Sequence, residues 1–574
     1  MTSLKSTAWS GLVDVVRRHP FLCAVLLCVG VEVFTLGDEK YITPQSIMAA
    51  SLMTALIAYV LIRPYLKKFR VPAAFCCGAI SFAWGVLFSR SEKKGGLFAA
   101  LVLACTIAAL AIMYLKHRLS PENVTALIIF AGFGLYIAYI MYTLSVIRQT
   151  DVNYWSSDSG HAGYIKYLFN HHFALTDYDP RETWQFYHTP FFYYISAGLI
   201  YLVTSFGVEF ETAAEVSQIV TLFSAMSIVI TSHRLFRLFD LRGYALTAAM
   251  AVISLSNTIL ILSGSISNDI TAAALELGAF YCAVKWYKDR KMLSIIESAL
   301  CMGLGLMTKL SAWMAAPAIA MIFIVSFIIL IAEEKPVKKC LVQFGAFLGI
   351  SVPLGMWFPV YNLIRWGVPL GYIPEGGEDY YVGEWSVLQR LFTVSRESVS
   401  TPFLLQKNYL YEYNPIVVLM KSSADLQRLA AFNMLAPLLS ITIIVSGIIV
   451  VISTATMVVS VITKTRSALR KKGGKKSAAG ADKASTITEF ATVLLWLVTM
   501  VSYVVFCIKY PYTCTENVRY VIPVITLCAL WFGRAAGSVF KNNMITRLKN
   551  YFCEFIAALY GFVFMLTFVF MGFD

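Results

Sequence analysis

Apolar runs of about twenty residues recur from one end of this 574-residue chain to the other, and no soluble fold buries so many of them. Inside hydrocarbon a run of that length has no water to bond, so only a helix satisfies its backbone. The chain therefore reads as an all-α polytopic membrane protein. Composition agrees, with 58% of residues hydrophobic and only 14% charged. Spans are predicted at 21–37, 46–62, 71–89, 97–115 and 123–147, then at 211–232, 244–263, 270–285, 293–308, 313–331, 340–360, 431–462, 487–508, 519–534 and 551–571, about fifteen in all. No cleaved leader is evident, and the flanks of 21–37 suit a first span as well as a secretory segment. The 12 Cys lie mostly within apolar runs and form no CxxC pair, which points to packing. Cys514 alone falls in a polar stretch predicted to lie outside.

The net charge of +14 sits mainly in short links between spans, so it carries orientation and implies no nucleic-acid partner. RPYLKKFR (63–70), KHR (116–118), HRLFRLFDLR (233–242), KWYKDRK (285–291) and EEKPVKK (333–339) alternate onto one side. The tract at 464–486, beginning KTRSALRKKGGKK, joins them as a basic cytoplasmic linker. The positive-inside rule then puts the N-terminus inside and 151–190 outside; the basic stretch 90–94 goes against it. The apolar stretch 190–206 breaks the parity if it crosses. It reads as a helix lying in the outer leaflet, the alternative being a full crossing that violates the charge rule. A long external loop follows at 361–430, and shorter ones at 263–269 and 509–519.

Within this lipid-soluble background, 151–190 is dense in polar groups. It holds four of the seven His, together with Asp151, Asp158, Asp177, Asp179 and Glu182. Polar side chains beside hydrocarbon are costly, so such a cluster points to function. Asp151 closes the fifth span, either as a helix end or as a carboxylate placed to take a proton from a hydroxyl. Asp158 and His161, within one helical turn, have the spacing to share a proton or hold a metal, although no zinc-type spacing is present. His171 and His172 read as solvated. His188 opens the 190–206 helix, where it would contact a phosphate or orient an acid. Asn268 and Asp269, at the head of a span, read equally as a helix cap or as a second acid for the same cavity. Lys309 lies between two apolar segments on the outer side, where it neutralises an anion or snorkels to lipid phosphate. Arg519 opens a late span with the geometry to fork onto phosphate oxygens, or to pair with Glu516 three residues earlier. No nucleotide-binding motif is present.

Six stretches in order, DSGHAGYIKYL, DPRETWQFYHTPFFYYI, LSGSISND, GLGLMTK, WGVPLGYIP and YTCTENVRYVIP, resemble the GT-C membrane glycosyltransferases, most of all the family 39 protein mannosyltransferase-like branch. The resemblance covers roughly 120–535. It implies transfer of a sugar, with inversion, from a polyprenyl-phosphate donor to a hydroxyl on a protein, glycan or lipid, at the extracytoplasmic face. Asp151 then matches the general base, Asp269 a second acid, and Arg519 the group on the lipid phosphate, with Lys309 a weaker match. His161, His188, Asn268 and Glu516 are the accompanying substrate contacts. The resemblance names no cofactor and leaves a divalent cation open. Two departures stand out: Thr150 where relatives carry His before the acid, and His188-Thr189-Pro190 where they carry His-Pro-Pro. The first leaves the choice of base open between Asp151 and Asp158. On this reading 1–120 is an N-terminal extension of about four spans, 121–535 the transferase domain, and 536–574 a C-terminal span. A bacterial plasma membrane is the expected location, the endoplasmic reticulum the alternative. A flippase for a lipid-linked sugar, or a glycan polymerase using a diphosphate-linked donor, competes with the transferase reading.

Overall fold

The computed structural model describes residues 94–146, 151–175, 178–374, 376–407, 410–424, 435–470, 479–537 and 544–571. The expected spans at 21–37, 46–62 and 71–89, and Asp177 of the polar loop, lie outside these residues. The architecture is helical: α1 (Lys94–Leu115), α2 (Pro121–Tyr142), α3 (Gly160–Asn170), α4 (Phe191–Thr204), α5 (Phe210–Ala214), α6 (Ser217–Leu238), α7 (Gly243–Ser254), α8 (Asn257–Gly264), α9 (Asn268–Asp289) and α10 (Met292–Thr308). A 3₁₀ turn, Leu310–Ala315, leads into α11 (Ala316–Ala332), followed by α12 (Lys338–Trp366), α13 (Val387–Phe392), α14 (Arg396–Ser400), α15 (Pro415–Ser422), α16 (Ala436–Arg470), α17 (Ala479–Lys509), α18 (Ile522–Gly537) and α19 (Met544–Met571). A two-residue ladder, Gln406–Lys407 against Leu410–Tyr411, is the one paired strand set among the described residues.

Among those residues, eight helical segments are long and apolar enough to cross a membrane, or nine when the bent pair α7–α8 counts as one span. This is a multi-pass membrane architecture. Helix α9 falls at the expected span 270–285 but carries Asp269, Glu276, Lys285 and Lys288, and α10 has only 17 residues. The linker expected at 464–486 is largely helix, because α16 runs on to Arg470 and α17 starts at Ala479. The expected span 244–263 is broken after Ser254, where α7 and α8 meet at 45°. The freed Ser254 carbonyl at the break accepts from the Tyr136 hydroxyl at 3.0 Å, so the interrupted backbone stays bonded inside the bundle. Gly132 is required opposite it, because a Cβ there would collide with the same carbonyl.

One apolar core joins residues from α1 (Ala99), α2, α6, α7, α9, α16, α18 and α19 (Ile556, Phe564), so the first and last described helices pack into the same bundle. The spans at Phe210–Leu238 and Thr513–Gly537 are mostly buried, whereas those at Leu310–Ala332, Lys338–Trp366, Ala436–Ser467 and Thr486–Lys509 leave most of their apolar surface exposed, as lipid-facing helices do. A second core, including Val152, Tyr164, Phe186, Phe192, Tyr193 and Ile266, underlies the polar loop. Helix α4 has 14 residues, about 21 Å of rise, and starts and finishes at the same end of the bundle. Thr189 before it bonds Leu306 near the end of α10, and Glu215 beyond it bonds Ser145, six residues before Asp151. This geometry favours a lying helix over a crossing one.

Candidate functional site

Five chain segments meet at the end of the bundle that carries 151–190. They enclose a cavity of about 440 Å³ lined by Asp151, His161, His188, Asp269, Lys309 and Arg519, with Trp184, Tyr187, Tyr372, Tyr510 and Tyr520. The Gly/Pro-rich stretch of the 361–430 loop supplies one wall through Gly371, Tyr372, Ile373, Pro374 and Gly376. A second wall is apolar and runs down a seam between the Leu310–Ala315 turn (Trp313, Met314) and α17 (Val505, Phe506). Trp313 and Val505 on this wall are 49% and 56% exposed, so the cavity is open along its apolar side. None of α4 lines the cavity.

Local backbone places each charge. Asp151 adopts a left-handed φ of 64°, and its carbonyl accepts from the His161 amide at 3.0 Å, so the chain ending α2 caps the start of α3. Gly160 permits this: its φ is +79°, and a Cβ would lie 2.6 Å from the Val152 carbonyl oxygen. Asp269 sits in the first turn of α9, where a negative charge is favoured. The cap itself is Ser267, whose hydroxyl accepts from the Asp269 amide and donates to Asp269 Oδ2 at 2.8 Å. The capping role weighed for Asn268 and Asp269 therefore belongs to their neighbour, and the Asp269 carboxylate is turned to the cavity. Lys309 is the extended residue that ends α10. Arg519 lies in a 3₁₀ turn, Val518–Val521, capped by the Asn517 side chain.

The charges interlock. Arg519 Nη2 donates to Asp151 Oδ2 at 2.6 Å and its Nε lies 3.6 Å from Asp269 Oδ2. Lys309 Nζ pairs with Asp269 Oδ1. The Tyr520 ring lies under both cations, 4.8 Å from Lys309 Nζ and 4.9 Å from Arg519 Cζ. Two acids and two cations thus balance within the cavity, with Lys509 a third cation on its lining. One donor is left over: Arg519 Nε is buried and has no hydrogen-bond partner. His161 and His188 stack with centroids 6.0 Å apart, and His161 Nδ1 bonds the Tyr193 hydroxyl at 2.7 Å. Burial lowers His161 to about 4 against the opposing pull of Asp151 and Asp269. His188 is held well below the ordinary imidazole range, again first by burial and then by Lys309. Both rings are neutral at physiological pH and able to bond hydroxyls. Burial also raises the Tyr187 phenol, which stays protonated.

Not every predicted residue joins. Asp158 is 93% exposed and pairs with Lys166 at 2.9 Å. The turn at Gly160 sends it to solvent while His161 goes inward, so helical spacing misjudged the pair. Asn268 is buried as a brace, its Nδ2 donating to the Thr308 carbonyl at 3.1 Å. Glu516 does not pair with Arg519; it lies buried against Arg390 from the 361–430 loop. His171 and His172 are exposed. Among the described residues, no group of three or more His, Cys, Asp or Glu is arranged to hold a metal ion. Tyr187, Tyr520, Tyr372 and Lys509 escaped the sequence reading, since aromatic residues are common throughout this chain and periodicity does not sort them. No family model, no curated protein and no solved structure matches this chain.

Proposed function

We propose that this protein is an integral-membrane glycosyltransferase of the GT-C type, built as a bundle of about fifteen helices. On this reading it moves a hexose from a polyprenyl-phosphate donor to a hydroxyl acceptor at the extracytoplasmic face, with inversion. The observation that carries it is the cavity's division into a charged part (Asp151, Asp269, Lys309, Arg519) and an open apolar side (Trp313, Met314, Val505, Phe506). An amphiphile with an anionic phosphate and a long apolar tail fits both parts at once. The phosphate draws Arg519 and Lys309 off their carboxylates, satisfies the spare Nε, and spreads its charge over a bidentate guanidinium. The tail leaves through the seam between Trp313 and Val505.

Release of Arg519 frees the Asp151 carboxylate, which is 17% exposed and faces the cavity. The acceptor oxygen attacks the anomeric carbon as its proton passes to Asp151. The carbon–oxygen bond to phosphate breaks on the opposite face, and its electron pair leaves on the phosphate, where the two cations stabilise it. The neutral His161 and His188 rings offer hydrogen bonds to sugar hydroxyls. A direct displacement of this kind inverts the anomeric centre.

The test is turnover in proteoliposomes loaded with radiolabelled polyprenyl-phosphate hexose and a hydroxyl acceptor. The expected result is release of polyprenyl phosphate with formation of labelled acceptor. Passage of intact labelled lipid across the bilayer without bond cleavage would replace this reading with transport.

A further inference from the structure

Helix α4 stays out of the cavity, yet one of its side chains reaches a residue that lines it. Tyr193, in the first turn of α4, is fully buried in the second core, with the Tyr164 ring 4.2 Å away and the Phe192 ring 5.4 Å away, centroid to centroid. Its hydroxyl has one partner among the described residues, His161 Nδ1 at 2.7 Å. The phenol either gives its proton to Nδ1 or accepts one from it, and burial decides between the two. Donation satisfies both groups. The reverse leaves the phenolic proton without an acceptor among aromatic rings, a buried unpaired donor that disfavours this form by about tenfold or more.

The choice at Nδ1 fixes the other nitrogen of the ring. With Nδ1 as acceptor, the neutral imidazole carries its proton on Nε2. No protein group among the described residues bonds Nε2, and His161 lines the cavity together with Asp151, Asp269, Lys309 and Arg519. The ring has little freedom to turn. The His161 amide is held by the Asp151 carbonyl at 3.0 Å, and the His188 ring lies parallel to within 10°, 6.0 Å away.

We infer that Tyr193 is a positioning residue of this site, holding His161 as the Nε2–H tautomer so that the cavity meets a fixed hydrogen-bond donor. The ligand atom that docks on it is an oxygen acceptor. Tyr193 itself touches no ligand and acts through the imidazole. Its part in turnover rests on the transferase reading: Nε2 already carries its proton and takes none from the acceptor hydroxyl, which leaves that step to Asp151.

The experiment uses the full-length protein, grown on isotope-labelled histidine, in vesicles of phosphatidylethanolamine and phosphatidylglycerol at neutral pH. Solid-state NMR reads which ring nitrogen carries the proton, and His161→Phe assigns the signal by difference. The wild type should show Nε2–H over Nδ1–H by about tenfold or more, and Tyr193→Phe should raise the Nδ1–H share. Release of polyprenyl phosphate, scaled to the folded fraction, should fall about tenfold in Tyr193→Phe. Added to His161→Phe, the same change should cost less than about twofold, because it acts only through that ring. A dominant Nδ1–H form in the wild type, a tautomer ratio unchanged in Tyr193→Phe, or equal losses in both backgrounds overturns the inference. A wild type that holds the Nε2–H form but releases no polyprenyl phosphate overturns the transferase reading alone and leaves the tautomer standing.

Discussion

Two buried ion-pair clusters lie close together at one end of this molecule, and their difference separates a site from a brace. In the first, Arg519 and Lys309 hold Asp151 and Asp269 on the lining of a cavity, and one guanidinium nitrogen has no hydrogen-bond partner. In the second, Arg390 gives its donors to Tyr413, Cys507 and Glu516, and Lys421 gives its own to Glu412 and Phe403; neither cation lines the cavity. Charge and burial are alike. Each leaves one buried polar atom without a hydrogen-bond partner, Arg519 Nε in the first and Glu516 Oε2 in the second; what differs is access, and that alone admits a ligand. The brace fastens the 376–424 loop to the chain around 507–518, helped by the Val518 amide on Ser422 and by a bridge between Tyr381 and Tyr512.

Substitutions break this contrast in order of size. Asp151→Asn should cut donor turnover per folded molecule by about 10²–10⁴-fold, the worth of a general base, far beyond any effect on the folded fraction. Arg390→Met should act in the reverse sense. Leaving Glu516 buried and uncompensated costs about 3–5 kcal/mol, read as a fall in melting temperature in detergent. Arg390→Met combined with Glu516→Gln should recover part of that loss. A smaller effect comes from pH. The unfolded chain takes a proton at His161 near pH 6.5, whereas the folded chain refuses it until about 4. Stability therefore falls as pH drops across that window and levels off below it, by about 3 kcal/mol in total. His161→Gln should flatten that part of the melting profile. Asp158→Asn, at an exposed pair, should change stability by less than about 0.5 kcal/mol and leave turnover untouched.

The eight or nine spans among the described residues were legible because hydrocarbon allows few alternatives: a run of about twenty apolar residues must be helix. Asp151, Asp269, Lys309 and Arg519 were legible for the same reason, since each is a charge where a span meets water. Their mutual pairing was not, because Asp151 and Arg519 are 368 residues apart and nothing local in either neighbourhood names the other. Glu516 was misassigned through proximity: Arg519 is three residues away, while its actual partner lies 126 residues back in a loop with no periodicity. Asp158 went astray at Gly160, where one left-handed turn undoes the helical spacing that joined it to His161. The break between α7 and α8 falls at Ser254, Ser256, Asn257 and Thr258, a polar interruption too short to end the apolar run, and Tyr136 bonds the freed carbonyl from another helix.

The central claim is that the cavity cluster handles a lipid phosphate while the neighbouring cluster only holds the loop. Its most direct test is release of polyprenyl phosphate from polyprenyl-phosphate hexose in proteoliposomes by wild type, Asp151→Asn and Glu516→Gln, each scaled to the folded fraction. The account predicts cleavage by wild type, a loss of about 10²-fold or more per folded molecule in Asp151→Asn, and a Glu516→Gln variant that is less stable but turns over within about tenfold of wild type. Cleavage by Asp151→Asn at the wild-type rate, or no cleavage by the wild-type protein, would contradict it.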